Sequence, residues 1–478
     1  MPEKERLVIG RRNFMKAAAV LPAAGAYTYA ALQARPLQAA IIGTGNQGRV
    51  LLENADPSVI KFNAMCDFRP DHRLLGEAVI QYRYNPQVRV YDDVDKMLSD
   101  GGFEAVIIAT PLHTHGPLTV KCLSAGKHVL CEKTMAYSLE HCDEMISTAR
   151  KNNLVLAVGH QRHANPLYQR AKKWVEDKEI GDVYHIRSLW HRNNEWRNVP
   201  DWENELLKER WGESPLDWLR KKLPDLKPKA FVAMPTPEKI THYFDMLKEK
   251  DPNFDWVSHG YETPDQLANW RLYSKFSHGL MSELGSHQID VATWLWGAPP
   301  ETVCGVGGIY HYKDERDLAD HAYVTFRYPT DRVFTFTAIT TNAFDDYYDQ
   351  IMGTKGTVFL TGESEGTLVK TEEAKAEEAA KKTEVGVAKG KAGKPAAVTH
   401  STGKGAQTGD SIGDGKDRFK AYGEEIRMFA EAIRAGDPSR VGCSGEGGRR
   451  AAAAVFAANQ AIQTNVVQTI HLNPVAIA

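Results

Sequence analysis

The chain has 478 residues, of which 42% are hydrophobic and 25% charged, and its formal net charge is −2 at pH 7. This length corresponds to several domains, and the composition excludes collagen-like and wholly disordered proteins. The balanced charge gives no basic field for nucleic acid, so no nucleic-acid partner is expected. No run of about 18 uncharged apolar residues follows the N-terminal region, which excludes a polytopic membrane protein.

Residues 1–35 have the pattern of an export signal. Residues 10–16 read Gly-Arg-Arg-Asn-Phe-Met-Lys, and an Ala-rich segment follows over residues 17–34. Paired arginines before a moderately apolar segment are typical of the twin-arginine (Tat) signal. The sequence therefore predicts export by the twin-arginine machinery, to the periplasm or to a membrane that an uncleaved signal anchors. A plain amphipathic first helix is the alternative.

Six cysteines are scattered along the chain, and no pair of them has the spacing of zinc ligands. Cys66 and Cys131 lie on apolar runs that read as buried strands. All six are therefore expected to be small core residues, and no metal site is predicted.

Strand and helix patterns alternate over residues 36–160, which predicts a parallel, doubly wound sheet. The predicted strands are 37–42, 60–66, 105–109, 128–131 and 154–158, with a weak one at 88–90. The predicted helices lie near 71–82, 93–99, 117–125 and 138–151.

The first predicted strand runs into a glycine-rich loop, Gly43–Gly48 (Gly-Thr-Gly-Asn-Gln-Gly), which opens a helix. Gly43 allows the tight turn, Gly45 lets the backbone approach a pyrophosphate, and Gly48 lets the helix pack closely on the strand. Asp67 follows the second strand, where it can bind the ribose hydroxyls and repel a 2′-phosphate. The pattern favours NAD over NADP, although Arg69 offers a cation that could hold that phosphate.

Further motifs carry a family resemblance. They are Thr110–His115 (Thr-Pro-Leu-His-Thr-His), Ala125–Thr134 (Ala-Gly-Lys-His-Val-Leu-Cys-Glu-Lys-Thr), Val158–Pro166 (Val-Gly-His-Gln-Arg-His-Ala-Asn-Pro), Asn269-Trp270-Arg271 and Gly279–Asp290 (Gly-Leu-Met-Ser-Glu-Leu-Gly-Ser-His-Gln-Ile-Asp). Together with the glycine loop, they resemble the glucose-fructose oxidoreductase / inositol dehydrogenase / MocA family. The resemblance covers about residues 37–365 and 418–470.

The resemblance implies an α/β Rossmann dinucleotide-binding domain followed by an α+β domain with a large, mostly antiparallel sheet. We expect the first domain at 36–160 and the second at 161–370, with helices of 418–478 completing the core. Downstream strand patterns at 185–190, 302–310, 322–328 and 333–340 fit this architecture. Since such a sheet often forms the oligomer interface in the family, a homo-oligomer (a dimer or tetramer) is expected.

The resemblance also assigns the chemistry. Oxidising a hydroxyl requires a base for its proton, and a nearby cation stabilises the charge that develops on oxygen. By resemblance, Lys133 is that cation and His287 is the base or proton relay. Glu283, which stands where the family usually has Asp, lies one helical turn before His287, so the two are expected on one helix face. Without the family match, each would be read as a surface group.

Cofactor and substrate contacts follow from the same resemblance. His115 is expected beside the cofactor, with a packed core histidine as the alternative, and Glu132 at the nicotinamide end. The other expected cofactor contacts are Asn46, Gln47, Thr110 and Pro111, and the expected substrate contacts are Arg162, Trp270, Arg271 and Asp290. Two departures from the family pattern, Thr134 for a proline and Leu112 for a polar residue, leave the cofactor geometry open.

Two segments are extra to the common core. Residues 192–268 contain Trp196, Trp202, Trp211, Trp218 and Trp256, which can stack on sugar rings or simply pack, and this insert could cap the active site. Residues 371–417 are of low complexity and are expected to be disordered, apart from a short helix near 372–383.

Three functional hypotheses follow. The leading one is an exported NAD-dependent oxidoreductase acting on a sugar or polyol. The second is a redox-neutral, NAD-dependent glycosidase that oxidises a sugar transiently to a 3-keto form. The third is a non-catalytic nucleotide or sugar sensor, for which loss of Lys133 would have been the signal. Because free NAD is scarce outside the cytosol, an exported enzyme is expected to carry its cofactor tightly bound.

Overall fold

The computed structural model describes residues 35–197, 236–370, 410–412 and 417–472. The predicted signal region, the tryptophans at 202, 211 and 218, and the predicted helix near 372–383 lie outside these residues. Within the described part of the chain, no helix is long and apolar enough to span a membrane.

Six strands form the first sheet. They are β1 (Leu37–Ile42), β2 (Ile60–Cys66), β3 (Arg89–Tyr91), β4 (Ala105–Ile108), β5 (His128–Glu132) and β6 (Leu156–Gly159). All pairs are parallel, in the order β3-β2-β1-β4-β5-β6. This is the Rossmann order, in which the cleft for a dinucleotide opens where the order reverses, between β1 and β4.

Helices connect these strands and cover both faces of the sheet. They are α1 (Asn46–Asn54), α2 (Pro70–Arg83), α3 (Val94–Asp100), α4 (His115–Ser124) and α5 (Leu139–Lys151). β4 is buried at every position, as expected for a parallel strand between two helical layers. Capping side chains define two helix starts: Asp93 accepts from the Lys96 amide and Ser138 from the His141 amide.

The second sheet has nine strands. They are β7 (Val183–His191), β8 (Thr302–Gly308), β9 (His321–Tyr328), β10 (Arg332–Ile339), β11 (Tyr347–Gly353), β12 (Gly356–Thr361), β13 (Glu365–Lys370), β14 (Asp410–Ile412) and β15 (Gln468–Thr469). The order is β14-β13-β12-β11-β7-β10-β9-β8-β15, antiparallel except for the β7–β10 pair. Along β9, residues alternate between buried and exposed, so one face is covered and the other is open.

Six further helices lie in the part of the chain that the structure describes. They are α6 (Pro166–Glu176), α7 (Thr236–Lys250), α8 (Pro264–Ala268), α9 (Ser286–Trp296), α10 (Asp417–Ala435) and α11 (Gly445–Thr464). α6, α9 and α11 pack on the covered face of the second sheet. α10 returns to the first domain, where Ile426 and Phe429 join the core beneath β1 and β2. The C-terminal helices therefore tie the two sheets together.

The predicted fold class is confirmed, with strand ends shifted by one or two residues. One cysteine prediction was wrong: five thiols are buried, but Cys304 is exposed. Its position explains this, since Cys304 lies on β8 with its side chain on the open face of the second sheet.

Candidate active site

The loop after β1 needs glycine at two positions. Gly43 has a φ of +86°, and a Cβ there would lie 2.6 Å from the carbonyl oxygen of Ala109. A Cβ at Gly48 would lie 2.0 Å from the carbonyl oxygen of Gly43, so only glycine lets α1 pack this closely on the loop. No side chain caps the start of α1, which leaves amides of its first turn for an anion such as a pyrophosphate.

Asp67 stands at the end of β2, on the wall of the cleft. Its carboxylate accepts from the amides of Thr44 (2.8 Å) and Arg69 (2.9 Å), and His72 Nδ1 lies 3.2 Å away. Burial raises the pKa of Asp67, but His72 and these amides outweigh it and hold the pKa below its usual value. The carboxylate is therefore ionised at neutral pH and disfavours a 2′-phosphate.

Arg69, the residue that could have held such a phosphate, is committed elsewhere. Its Nε donates to Asp71 Oδ1 at 3.1 Å, and its guanidinium carbon lies 5.0 Å from the centroid of the Phe244 ring. Because the guanidinium already has a buried carboxylate partner, the geometry fits NAD better than NADP.

Residues 236–261 of the insert form a roof over the nucleotide end of the cleft. Its core packs around Phe244, Phe254 and Trp256, and the partly buried Phe68 of the first domain packs against it. Phe68 stacks on His259, with ring centroids 4.1 Å apart. In the structure this part of the insert lies over the nucleotide end, and Trp256 packs within the roof.

Two polar contacts fasten the roof to the first domain. Tyr243 donates from its hydroxyl to Asp71 Oδ2 at 2.7 Å, and Arg73 forms an ion pair with Asp251. The first contact joins α2 to α7, and the second joins α2 to the residue just after α7. Together they hold the roof against the first domain.

The resulting cleft has a volume of about 1030 Å³, at the upper end of the range for ligand sites. Its lining runs from the glycine loop and Asp67, past the roof, to an inner end at the second domain. The residues that line this inner end are Glu132, Lys133, Trp270, Arg271 and Glu283. The cleft therefore joins the predicted cofactor residues to the predicted chemical residues.

Lys133 is the central cation of the inner end. Its Nζ donates to the backbone oxygen of Glu283 at 2.9 Å and lies 4.0 Å from Glu283 Oε2. Burial lowers the pKa of Lys133, and the charges of Glu283 and Glu132 act in the opposite direction. The Lys133–Thr134 peptide bond, at the position where the family has proline, is cis.

Glu283 lies in a π-helical turn, Met281–Gly285, which precedes α9. Its carboxylate accepts from Arg271 Nε (2.9 Å) and Ser277 Oγ (3.4 Å). Burial raises the pKa of Glu283, but the charges of Arg271 and Lys133 outweigh it and bring the pKa below the usual value. The wider π turn, a feature often found at functional sites, changes the register that an α-helix would give. The assumption of α-helical spacing between Glu283 and His287 is therefore corrected.

His287 is 7% exposed and lies behind the cleft, outside its lining. Its ring lies 5.8 Å from that of Trp190 and 6.4 Å from that of His160, centroid to centroid. The predicted acid–base histidine is therefore about as buried as Glu283, next to the aromatic ring of Trp190.

Two predicted substrate residues lie elsewhere. Arg162 is 1% exposed and bonds Glu363 (Nε to Oε1, 2.9 Å) and Asp349 (Nη1 to Oδ2, 3.4 Å). Asp290 is buried and accepts from His163 Nε2 at 2.7 Å. Neither is in the lining of the cleft, because each bonds within a buried polar network, and the substrate role of both stays a prediction.

Predicted cofactor residues line the cleft, with Gly48 as the exception behind the loop. Gln47 Nε2 donates to Glu132 Oε1 at 2.7 Å, which fixes that carboxylate across the cleft from the glycine loop. His115 Nδ1 and Nε2 face the backbone oxygens of Thr134 (2.9 Å) and Thr110 (2.8 Å), so its ring also has a packing role. The remaining predicted contacts in the lining are Gly43, Gly45, Asn46, Asp67, Thr110 and Pro111.

The roof residues that line the cleft were not singled out from the sequence. They include Tyr243, Asp251, His259 and Tyr261. The available signal was the aromatic content of the insert, which pointed to capping but not to the nucleotide end. The contacts with α2 join residues far apart in the chain, and no local pattern reveals them.

A parallel Rossmann sheet, a glycine loop with an acidic partner and a half-buried lysine at the far end of one cleft define a dinucleotide-dependent oxidoreductase. Two family models match the chain: the oxidoreductase family with an NAD-binding Rossmann fold over residues 37–160, and its C-terminal alpha/beta domain over residues 253–470. Together they cover more than half of the sequence. The chain belongs to the Gfo/Idh/MocA oxidoreductase family, and its cofactor is NAD.

Relatives and solved structures agree with this family. The scyllo-inositol 2-dehydrogenase (NAD(+)) of Bacillus subtilis is 22% identical over 84% of this chain and 87% of its own. An uncharacterised oxidoreductase of Schizosaccharomyces pombe is 29% identical over 36% of this chain and 46% of its own, so this chain matches under half of that relative.

Among solved structures, the WlbA dehydrogenase of Bordetella pertussis, in complex with NADH and UDP-GlcNAcA, has a TM-score of 0.62 at 16% identity. The match covers 92% of this chain and 99% of that one. Levoglucosan dehydrogenase, in complex with NADH and L-sorbose, has a TM-score of 0.61 at 15% identity over 91% of this chain and 99% of that one. At these identities the likeness shows the fold.

Proposed function

We propose that this protein is an exported, NAD-dependent dehydrogenase that transfers a hydride between a hydroxyl-bearing carbon of a sugar or polyol and nicotinamide. The half-buried Lys133 ammonium on the inner wall of the cleft carries the proposal, because an alcohol oxidation needs a fixed cation at the reacting oxygen. The substrate class rests on relatives named for inositols and on neighbours named for levoglucosan and UDP-GlcNAcA.

Bound NAD would supply the hydride acceptor, and the chain supplies the proton chemistry. The Lys133 ammonium has three donors, of which one bonds the Glu283 backbone oxygen, so others remain for a substrate oxygen. The Glu283 and Glu132 carboxylates favour the ammonium form of Lys133. We assign His287 the role of proton relay, because it lies on the helix that follows Glu283 and an imidazole can both accept and donate a proton.

The roof supports the expectation that the cofactor stays bound between turnovers. Aromatic packing on Phe68 and the Arg73–Asp251 pair close the nucleotide end, so release requires the roof to open. A retained cofactor must be reoxidised or re-reduced in place by a second substrate. This suits an exported enzyme, because free NAD is scarce outside the cytosol.

The test measures NADH formation from a panel of inositols, aldohexoses and anhydrosugars, with the wild type and Lys133→Ala. We expect the variant to lose about 10²- to 10³-fold in kcat with nucleotide affinity unchanged, since removing one donor at a developing oxyanion costs this much. Lys127→Ala is the matched control, because Lys127 immediately precedes the same strand, at its opposite end.

Three outcomes would contradict the proposal. Equal kcat in wild type and Lys133→Ala would remove the lysine from the chemistry. Glycoside cleavage without net NADH would favour the redox-neutral glycosidase. Nucleotide binding without turnover of any panel member or glycoside would favour the sensor.

Export and assembly complete the proposal. The arginine pair in residues 10–16 supports twin-arginine export. Replacing both Arg11 and Arg12 by lysine should leave the protein in the cytosolic fraction, whereas export of this double variant would contradict the route. The open face of the second sheet, with Val306 and Tyr323 exposed, supports a dimer or tetramer of this chain, which light scattering after gel filtration measures.

A further inference from the structure

A second cluster of chemically active side chains lies behind the active site, separate from the lining of the cleft. It consists of His160, Asp290 and Cys443, whose ligand atoms all lie within 4.8 Å of one another. The three residues are 1%, 4% and 3% exposed. Imidazole, carboxylate and thiolate are the ligands that zinc takes in proteins.

Three separate parts of the fold bring the cluster together. His160 follows β6 directly, and Cys443 is held beside that strand because its backbone oxygen accepts from the Val158 amide at 3.0 Å. Asp290 comes from α9, the helix that also carries His287. The site therefore joins the end of the Rossmann sheet, the active-site helix and the segment before α11.

The distances fit a metal centre closely. Bond lengths of about 2.0–2.3 Å and tetrahedral angles give ligand–ligand separations of about 3.4–3.6 Å. His160 Nδ1 lies 3.6 Å from Asp290 Oδ2, and Cys443 Sγ lies 4.0 Å from Asp290 Oδ1. Small side-chain movements would bring the three groups to a common ion.

Unpartnered polar atoms give an independent indication of a ligand. Among the described residues, neither ring nitrogen of the buried His160 has a hydrogen-bond partner, and neither do the carboxyl oxygens of Glu425. Glu425 is close enough to Asp290 and Cys443 to interact electrostatically with both. Because buried polar groups are normally satisfied, such a concentration of them points to a bound ion.

Asp290 also has an outer partner of the kind that metal sites use. His163 Nε2 bonds Asp290 Oδ2 at 2.7 Å and fixes the carboxylate orientation, while the His163 ring stacks on Trp294, with centroids 4.5 Å apart. Such partners hold a ligand in place and raise metal affinity.

We propose that His160, Asp290 and Cys443 bind a zinc-type divalent ion, a structural centre that fixes the helix carrying His287 against the Rossmann sheet. On binding, the Cys443 thiol gives its proton to solvent and a sulfur–metal bond forms, with no redox change. The Asp290 carboxylate and the Cys443 thiolate together neutralise a dication. Because the ligands come from distant parts of the chain, the ion is captured as the protein folds.

The test uses the full-length protein, prepared without an affinity tag from zinc-supplemented medium. Elemental analysis should find stoichiometric zinc in the wild type and in Cys304→Ser, and little in Cys443→Ser, which is nearly isosteric and should keep the fold by circular dichroism. His163→Gln should bind zinc about 10- to 100-fold more weakly, as expected for loss of an outer partner.

A spectroscopic measurement keeps the proposal falsifiable if the variants fail to fold. Wild-type protein refolded with Co²⁺ should show sulfur-to-cobalt charge-transfer absorption and the visible bands of a tetrahedral site. Absence of stoichiometric metal from the wild type, absence of the thiolate band, or equal metal in Cys443→Ser and Cys304→Ser would each overturn it. None of these readouts depends on dehydrogenase activity.

Discussion

At the nucleotide end of the cleft, each arginine bonds a carboxylate directly, whereas at the inner end Lys133 contacts the Glu283 carboxylate only loosely, because that carboxylate is bonded to Arg271. Arg69 and Asp71 neutralise one another, Tyr243 adds a bond to the same carboxylate, and Arg73 pairs with Asp251. Lys133, by contrast, lies 4.0 Å from the nearest carboxylate oxygen of Glu283, within the wall of the cavity. Under the proposed function, the first end would bind the nucleotide and the second would hold a cation at the reacting oxygen.

This difference shows how one cleft serves both binding and chemistry. A binding site gains from partners that are already satisfied, since they need no rearrangement when the ligand arrives. A reacting oxygen needs a group whose charge is fixed in advance and only partly compensated. Variants that remove a charge or an ion pair at one end of the cleft test this difference between the two ends.

Asp67 should control cofactor preference more than any other residue of the nucleotide end. Replacing it by serine removes the charge that repels a 2′-phosphate. The same change removes a charged hydrogen-bond acceptor for the ribose, and a hydrogen bond to such a group contributes about 1.5–3 kcal/mol. We expect NAD affinity to fall about 10- to 100-fold and the NAD/NADP preference to narrow accordingly, with kcat at saturating NAD nearly unchanged.

Fluorescence titration with both nucleotides measures this change, with Asp92→Ser, an exposed acidic residue at the mouth of the same cleft, as the control. An unchanged preference in Asp67→Ser would show that Arg69, despite its pairing with Asp71, decides the specificity.

The two ends also differ in how far the sequence predicts them. The glycine loop and Asp67 both line the cleft, and the sequence could place them together because a local turn and strand ends that meet at one edge of a sheet bring them there. The contacts that hold the roof were not predicted, since Arg73 and Asp251 are 178 residues apart in the chain.

At the inner end, the positions of residues in the sequence did not predict their contacts in the structure. Helical periodicity assumes 3.6 residues per turn, so the π turn at Glu283 could not be inferred from the sequence. Arg162 was predicted as a substrate contact from the family resemblance, whereas in the structure it pairs with Glu363 and Asp349, both far along the chain. Cys443 was predicted to be a core residue, and its proximity to His160 and Asp290 became evident only from the structure.

Loosening the roof should speed cofactor release without altering the chemistry. Asp251→Ala removes the partner of Arg73 in an ion pair whose side chains are 16% and 23% exposed, a partly screened contact worth about 1 kcal/mol. We expect NAD(H) to dissociate about fivefold faster, which stopped-flow displacement measures.

Asp245→Ala is the matched control for the roof, because Asp245 is an exposed acid on the same helix, α7. If both variants release nucleotide at the wild-type rate, the Arg73–Asp251 pair does not control release. The two ends of the cleft would then differ only in how their charges are paired.

The smallest effect is expected in the pH dependence of the inner end. Burial already lowers the pKa of Lys133, while Glu283 and Glu132 raise it and Arg271 and Arg192 lower it. Glu283→Gln removes one of the raising charges and so lowers the pKa of Lys133 further. Since the proposed chemistry uses the ammonium form, the alkaline limb of the kcat profile should move to lower pH.

Glu262→Gln, a change at an exposed carboxylate outside the cleft lining, should leave that limb in place. A limb that is unmoved by Glu283→Gln would mean that another group limits the rate at high pH and that the charge left facing the cavity is not what prepares this end for chemistry.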